Sequence, residues 1–337
     1  MTVRRGSARR VPPAERPAEP LSRRRFLELA AAGVAGLGLA ACGAEGPDGD
    51  LARGRAVRYG VRYRYGPSVR QAADLLLPPG IAHRGPRLPV VALFHGGGWS
   101  PGGRRPNVWS VVRAFTQRGY AVWNVGYRVL GTGMGGGWPT TFEDAATAVD
   151  LLQDVAGRWP IDPDAVLTVG VSAGGTLATW CAGRSGLPEG APGSSPVVVP
   201  KGTVSCAGLL DLAWNAEGGD GSEPAPPELI SSAVVGLMGG TPASRPLRYE
   251  LASPIDRLPF HVPSLVAQGR NDRVAVAGQA RRFAVRATAE GDECELLLLD
   301  DAGHGDWDDA TGAGWDAVFD ALPAFVERCD LPARPRR

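Results

Sequence analysis

Ser172 stands at the apex of Gly170-Val171-Ser172-Ala173-Gly174. A β-branched apolar run, Val166–Val169, precedes it, and small helix formers, Ala173–Trp180, follow. Strand, glycine-flanked turn, helix is the setting in which a G-x-S-x-G serine is lifted clear of a sheet. The flanking glycines let the strand and helix backbones approach where a Cβ would clash. A serine hydroxyl is a weak nucleophile near neutral pH and needs a base, which in turn needs an orienting acid. Of the four histidines, His83, His95, His261 and His304, only His304 lies in a glycine-flanked loop just past a C-terminal strand (Ala302-Gly303-His304-Gly305). His83 and His261 fall at the other end of the strands. Asp272, in Gly269-Arg270-Asn271-Asp272, follows another strand and gives the chain order serine, acid, base. Asp300, Asp301, Asp306 and Asp308 are closer to His304 in sequence, but Asp300 and Asp301 share its strand or loop and are poorly placed to reach its Nδ1. Attack on a carbonyl also needs donors for the oxyanion. His95-Gly96-Gly97-Gly98-Trp99 follows an apolar strand. Backbone N–H groups of Gly97, Gly98 and Ala173 are the candidates, with His95 holding the loop. The glycine triplet alone would also suit a phosphate, but no Walker lysine follows, and no acidic residue stands at dinucleotide-binding spacing.

These residues require elements that deliver them to one edge. Val57–Tyr65 alternates apolar and arginine residues and is predicted to be an antiparallel edge strand; Val69–Leu77 is a second. Leu88–Phe94, Tyr120–Val125, Val166–Val169, Thr203–Ala207, Ser264–Gln268 and Glu293–Leu299 read as strands. Val108–Arg118, a helix from Thr141, Ala173–Ala182, Val276–Ala289 and Gly314–Arg328 read as helices. Thr140 and Glu143 have capping-box spacing. Phe142, Ala145, Ala146, Val149 and Leu152 form one apolar face, with Asp144 and Asp150 on the solvated side. Pro160–Asp164 reads as a turn. The alternation predicts a doubly wound, mostly parallel α/β sheet with antiparallel N-terminal strands, and an active site at the strands' carboxyl ends. Residues 211–250, rich in Gly, Pro and Glu with a helix near Pro227–Met238, break the rhythm. They read as a cap insertion or as a disordered loop.

The chain has 337 residues, 44% hydrophobic and 21% charged, with 47 glycines and 30 prolines. That suits one large domain with a tail. The N-terminus is net basic and the remainder net acidic, so no nucleic-acid footprint is expected. Ser22-Arg23-Arg24-Arg25-Phe26-Leu27 and the apolar Leu29–Ala41 resemble a twin-arginine export signal, too short to span a bilayer. Leu39-Ala40-Ala41-Cys42-Gly43 looks like a lipobox. Residues 1–41 are therefore expected to be a lipoprotein signal peptide, Cys42 the lipidated residue, 42–55 a flexible tether and 56–330 the folded domain. That places the protein in the cell envelope, anchored on the outer face of the cytoplasmic membrane; the alternative is cleavage near Ala41 and secretion. Cys181, Cys206, Cys294 and Cys329 could pair in an exported protein or stay as buried thiols. No Cys/His cluster suggests a metal site, and no cofactor is expected.

With HGGGW (His95–Trp99), GVSAGG (Gly170–Gly175), QGRND (Gln268–Asp272) and AGHGD (Ala302–Asp306) in this order, residues Val57–Arg328 resemble an α/β-hydrolase of the HGGGW carboxylesterase type. Hormone-sensitive-lipase-like enzymes, bacterial feruloyl and carboxyl esterases, and kynurenine formamidases are similar. Trp123–Arg128 and Ala252–Ile255 resemble the family's structural segments. The Gly131–Trp138 insert and residues 211–250 do not resemble a familiar lid. The resemblance implies a small-molecule ester substrate, an acyl-enzyme on Ser172, His304 as base, Asp272 as acid, and Gly97, Gly98 and Ala173 as the oxyanion hole. Trp99, Trp138 and Trp214 are candidate pocket walls. An amide substrate (an arylformamidase or small peptidase) is the near alternative, and a non-catalytic, surface-displayed binding protein the distant one.

Overall fold

The protein's structure, a computed structural model, describes residues 55–57, 60–81 and 85–332. The expected signal peptide, Cys42, most of the tether and His83 lie outside the described residues. The strands are β1 (Arg55–Val57), β2 (Gly60–Arg64), β3 (Ala72–Leu76), β4 (Leu88–Phe94), β5 (Ala121–Val125), β6 (Ile161–Val171), β7 (Gly202–Cys206), β8 (Ser264–Gly269) and β9 (Cys294–Leu299). They form a nine-stranded sheet of order β1-β2-β3-β5-β4-β6-β7-β8-β9. The first three run antiparallel and β3 meets β5 antiparallel. From β5 to β9 every pairing is parallel.

The helices are α1 (Trp109–Gln117), α2 (Thr140–Asp150), α3 (Leu152–Val155), α4 (Ala173–Ala182), α5 (Leu212–Ala216), α6 (Glu228–Met238), α7 (Pro246–Ala252), α8 (Ala277–Ala289) and α9 (Ala313–Arg328). Every residue of β4 is buried, as expected of an apolar run covered on both faces. One layer joins α1 to α9 through Phe115, Trp315 and Phe319, whose rings lie 5.3–6.1 Å apart. Another joins α2 to α4 through Phe142 and Trp180, 5.0 Å apart. After β4 the chain goes to β5 on one side, then returns to place β6 on the other. The carboxyl ends of β4 and β6 therefore flank the point where strand order reverses, where such sheets open a crevice.

Several local expectations are corrected. Val57–Tyr65 is not one strand: the chain reverses between Val57 and Gly60, which face each other across β1 and β2. Residues expected to form a turn at 160–164 belong largely to β6, where Ile161 pairs with Leu88 before the register shifts. No capping box forms on α2, because Pro139 holds the N-cap position and Thr140 Oγ1 donates to the carbonyls of Gly135 and Gly137. Asp144 is not solvated. It is 2% exposed and accepts from Arg128 Nε and Nη2, the Arg128 N–H and Gln71 Nε2 at 2.8–2.9 Å.

Residues 211–250 hold α5, α6 and the start of α7. Asp211 caps α5 by accepting from the Trp214 N–H, and Gly239 ends α6 in the left-handed conformation. Ile230, Val234, Leu237 and Met238 of α6 are buried. The two inserts meet, since the Trp138 N–H donates to the Leu237 carbonyl at 2.7 Å.

Candidate active site

Ser172 follows β6 directly, with φ 52° and ψ −122°. That conformation is costly for a residue with a side chain and persists only where neighbours impose it. The neighbours are identifiable. The Ser172 N–H donates to the Cys206 carbonyl at the end of β7, at 2.8 Å. A Cβ on Gly170 would stand 2.1 Å from the Gly174 oxygen, and one on Gly174 2.2 Å from the Phe94 oxygen. Only glycines permit α4 to start this close to β4 and β6.

His304 opens a short 3-10 turn, His304–Trp307, after β9, and Asp306 Oδ2 fixes the turn by accepting from the Gly303 N–H at 2.8 Å. Asp272 follows β8 by three residues, its side chain fully buried. Nδ1 of His304 lies 2.8 Å from Asp272 Oδ2, and Nε2 lies 3.1 Å from Ser172 Oγ. An ionised carboxylate only accepts, so the imidazole proton sits on Nδ1 and the Nε2 lone pair faces the serine hydroxyl. Asp272 Oδ1 accepts from the N–H groups of Val274 and Ala275 at 2.8 and 2.9 Å, while Gln268 Nε2 donates to Oδ2 at 3.1 Å. The structure thus brings Ser172, His304 and Asp272 into one hydrogen-bonded line from three separate strand ends. Of the rival acids, Asp300 is 82% exposed and paired with Arg270, and Asp306 is occupied by the turn.

Gly97, Gly98 and Trp99 have φ of 110°, 59° and 52°. Ser100 closes this turn, its N–H and Oγ both donating to the Gly97 carbonyl. Among the described residues no carbonyl accepts from the Gly97 or Gly98 N–H, and Ala173, first in α4, has no intrahelical acceptor. Gly96 closes the gap to the serine, since its own Cβ would lie 3.5 Å from Ser172 Cβ. His95 is 1% exposed; its Nδ1–H donates to the Gly96 carbonyl, and its ring stacks on Tyr127 at 4.3 Å. Tyr127 Oη donates to the His95 carbonyl at 2.6 Å. Burial pushes the His95 imidazole down to about 3, so it is neutral and holds the loop.

Trp99 is buried in the core and its carbonyl accepts from the Leu130 N–H. Trp138 lies edge-on to Phe142, 5.2 Å away. Trp214 packs locally, with Nε1 on Asp220 and the Arg282 guanidinium 5.7 Å over its ring. Sequence reasoning missed an open cleft of about 350 Å³ beside Asp272, walled by Pro224, Ala225 and Pro227 of the insertion and by Arg270, Arg273 and Val276. It read Tyr127 as part of a structural segment without its partner His95, and it missed Gln268 as a support. A polar amide ending an otherwise apolar strand, as Gln268 does, is the signal that marked it. All four cysteines among the described residues are free. Burial raises each thiol, those of Cys181, Cys294 and Cys329 to about 12. Among the described residues no cluster of metal-ligating side chains occurs, and no helix is long and apolar enough to cross a membrane.

The model of the BD-FAE family matches residues 73–286. Esterase LipQ of Mycobacterium tuberculosis (strain ATCC 25618 / H37Rv) is 27% identical over 222 residues, which cover 65% of this chain and 50% of that protein. The chain thus spans about half the length of this curated relative. A truncated carbohydrate esterase from gut microbiota superposes with a TM-score of 0.66 at 19% identity, covering 85% of this chain and all of that one. Esterase 2 of Thermogutta terrifontis, phosphonylated by sarin, gives 0.62 at 20% identity, covering 76% and 88%. At such identities the two superpositions speak for the α/β-hydrolase fold.

Proposed function

The chain belongs to the BD-FAE family, and on that premise we propose that it is a serine hydrolase of carboxylic esters. The observation that carries the reading is the continuous line Ser172 Oγ, His304 Nε2, His304 Nδ1, Asp272 Oδ2, with contacts of 3.1 and 2.8 Å at its two hydrogen bonds. Ser172 Oγ attacks the ester carbonyl carbon as its proton passes to Nε2. The N–H groups of Gly97, Gly98 and Ala173 hold the oxyanion, an interaction worth about 10²–10³ in rate per donor. His304, now an imidazolium steadied by Asp272, returns the proton to the departing alcohol. Water then attacks the acyl carbon as its proton passes to His304, and His304 returns that proton to Ser172 Oγ as the acid leaves. Residues 56–330 are the catalytic domain, with 211–250 as a cap whose Pro224–Pro227 stretch walls the cleft beside Asp272. Of the three tryptophans, Trp138, partly buried on the insert that follows Leu130, is the better candidate for a pocket wall, whereas Trp99 at 1% exposure packs the core beneath the glycine loop. The relatives' names, all esterases, favour an ester over an amide.

Purified protein is expected to hydrolyse p-nitrophenyl acetate and short homologues and to leave N-formylkynurenine largely intact, with Ser172→Ala inactive. An active Ser172→Ala protein contradicts the reading. Faster turnover of N-formylkynurenine would reassign the enzyme as an amidase.

We further propose export through the twin-arginine signal and lipidation at Cys42, with residues 43–54 as the tether to the outer face of the cytoplasmic membrane. The support is Arg23–Arg25 ahead of the apolar run and the small residues before Cys42. Cys42→Ala is expected to free the protein from the membrane fraction. Unchanged precursor size and membrane content with and without Cys42 would overturn this.

A further inference from the structure

Gln268 and Gln279 are both fully buried, 0% exposed, and belong to no part of the mechanism above. Their amide orientations follow from a group that has no choice. The Leu210 N–H can only donate, and it meets Gln279 Oε1 at 2.7 Å. Gln279 Nε2 therefore points the other way and donates to Gln268 Oε1 at 3.4 Å. Gln268 Nε2 then faces the Ala275 carbonyl at 2.7 Å and Asp272 Oδ2 at 3.1 Å. The reverse orientation would set Gln268 Oε1 against two acceptors, so the direction is fixed from both ends.

We propose that Gln268 is a positioning residue for the acid of the triad, and that Gln279 holds Gln268 in its donating orientation; this rests on the triad reading given above. Asp272 Oδ1 is held by the Val274 and Ala275 N–H groups, but those bonds can bend, and coupled turns about Cα–Cβ and Cβ–Cγ that pivot the carboxylate on Oδ1 would carry Oδ2 off His304 Nδ1. Gln268 closes that freedom by donating to the same oxygen that takes the His304 Nδ1 proton. The line begins at Leu210, where the chain enters the 211–250 insertion, and the Leu210 carbonyl accepts from the Ile255 N–H just beyond α7. The root of the insertion and the triad acid therefore share one directed chain of buried hydrogen bonds.

The test is a double-mutant cycle on p-nitrophenyl acetate hydrolysis. A hydrogen bond to a charged group corresponds to about 10- to 100-fold, so Gln268→Met is expected to lower kcat by that factor with KM little changed. Gln279→Met, one step removed, is expected to lower kcat by a few-fold. The low-field proton resonance of the Nδ1–H···Oδ2 bond should weaken or shift in both variants. In an Asp272→Asn background the residual rate should be insensitive to Gln268→Met, because the two substitutions act through one group. Circular dichroism establishes folding, and if Gln268→Met does not fold, Gln279→Met, which removes no group in contact with Asp272, decides. Unchanged kcat and an unchanged resonance in folded variants, or a full multiplicative loss in the Asp272→Asn background, would overturn the proposal. Wild-type turnover and its loss in Ser172→Ala test the triad reading separately.

Discussion

Gly174→Ala adds one methyl where α4 starts against the end of β4, one of the two tightest backbone approaches at the elbow. The new Cβ would lie 2.2 Å from the Phe94 oxygen and 2.4 Å from the His95 oxygen, whereas real Cβ contacts stay above 3.0 Å. The start of α4 and the end of β4 must therefore separate by about 0.8 Å. Both atoms met are backbone, so no side-chain rotation relieves the clash. The His95 carbonyl is also the acceptor for Tyr127 Oη, so movement there loosens the loop carrying Gly97 and Gly98. Movement on the other side displaces Ser172. Either way the nucleophile and the oxyanion donors lose register, and a misplacement of about 1 Å costs on the order of 10²-fold in rate. Overpacking of this kind also destabilises by about 1–3 kcal/mol. The assay is steady-state hydrolysis of p-nitrophenyl acetate beside urea denaturation. The control is Gly102→Ala, whose new methyl meets nothing closer than 3.8 Å. The expected result is a kcat about 100-fold lower with KM little changed, and a lower urea midpoint; the control should match wild type. A Gly174→Ala enzyme with wild-type kcat and stability would refute the close-packed elbow.

Other consequences follow from the same contacts. His95 stays neutral in the fold with its pKa at about 3, while the unfolded chain protonates it near 6.5, so the fold binds fewer protons between those values. Its contribution to stability is whole above 6.5 and declines as pH falls, so between pH 6 and 4 the wild-type unfolding free energy should drop more steeply than that of His95→Gln by about 1.4 kcal/mol per pH unit; equal slopes would contradict this. Arg128→Met removes two donors from the buried Asp144 carboxylate and should cost about 3 kcal/mol by urea unfolding, and a loss under about 1 kcal/mol would mean the carboxylate is not dry. In a Cys42→Ala protein at pH 8, a thiol reagent should react slowly with Cys181, Cys206 and Cys329 in the native state and with four thiols after unfolding; rapid native reaction of those three would contradict their burial.

The triad was legible because each member sits just past a strand whose apolar run announces it, and chain order did the rest. The position of the His95–Trp99 glycine loop after β4 was legible for the same reason. What sequence could not supply was partnership across distance. Asp144 lies off the apolar stripe of α2 and reads as solvated until Arg128, on the segment after β5, folds over it. Helical spacing specifies a face, not what the neighbouring loop brings to it. The split between β1 and β2 was hidden because apolar–arginine alternation continues from one strand into the next, although the two pair antiparallel. Pro163 and its acidic neighbours resemble a turn in isolation, yet pairing with Leu88 draws Ile161 into β6. Gln268, Gln279 and Leu210 are likewise joined only by the fold, and so is the contact between Trp138 and Leu237 that ties the two inserts together.

Covalent trapping reports directly on the nucleophile. Incubating the protein with a fluorophosphonate and mapping the adduct by peptide mass spectrometry should place one phosphonyl group on Ser172. The reaction should slow sharply in His304→Ala and disappear in Ser172→Ala. An adduct elsewhere, or no adduct in a folded wild-type protein, would contradict Ser172 as the activated nucleophile.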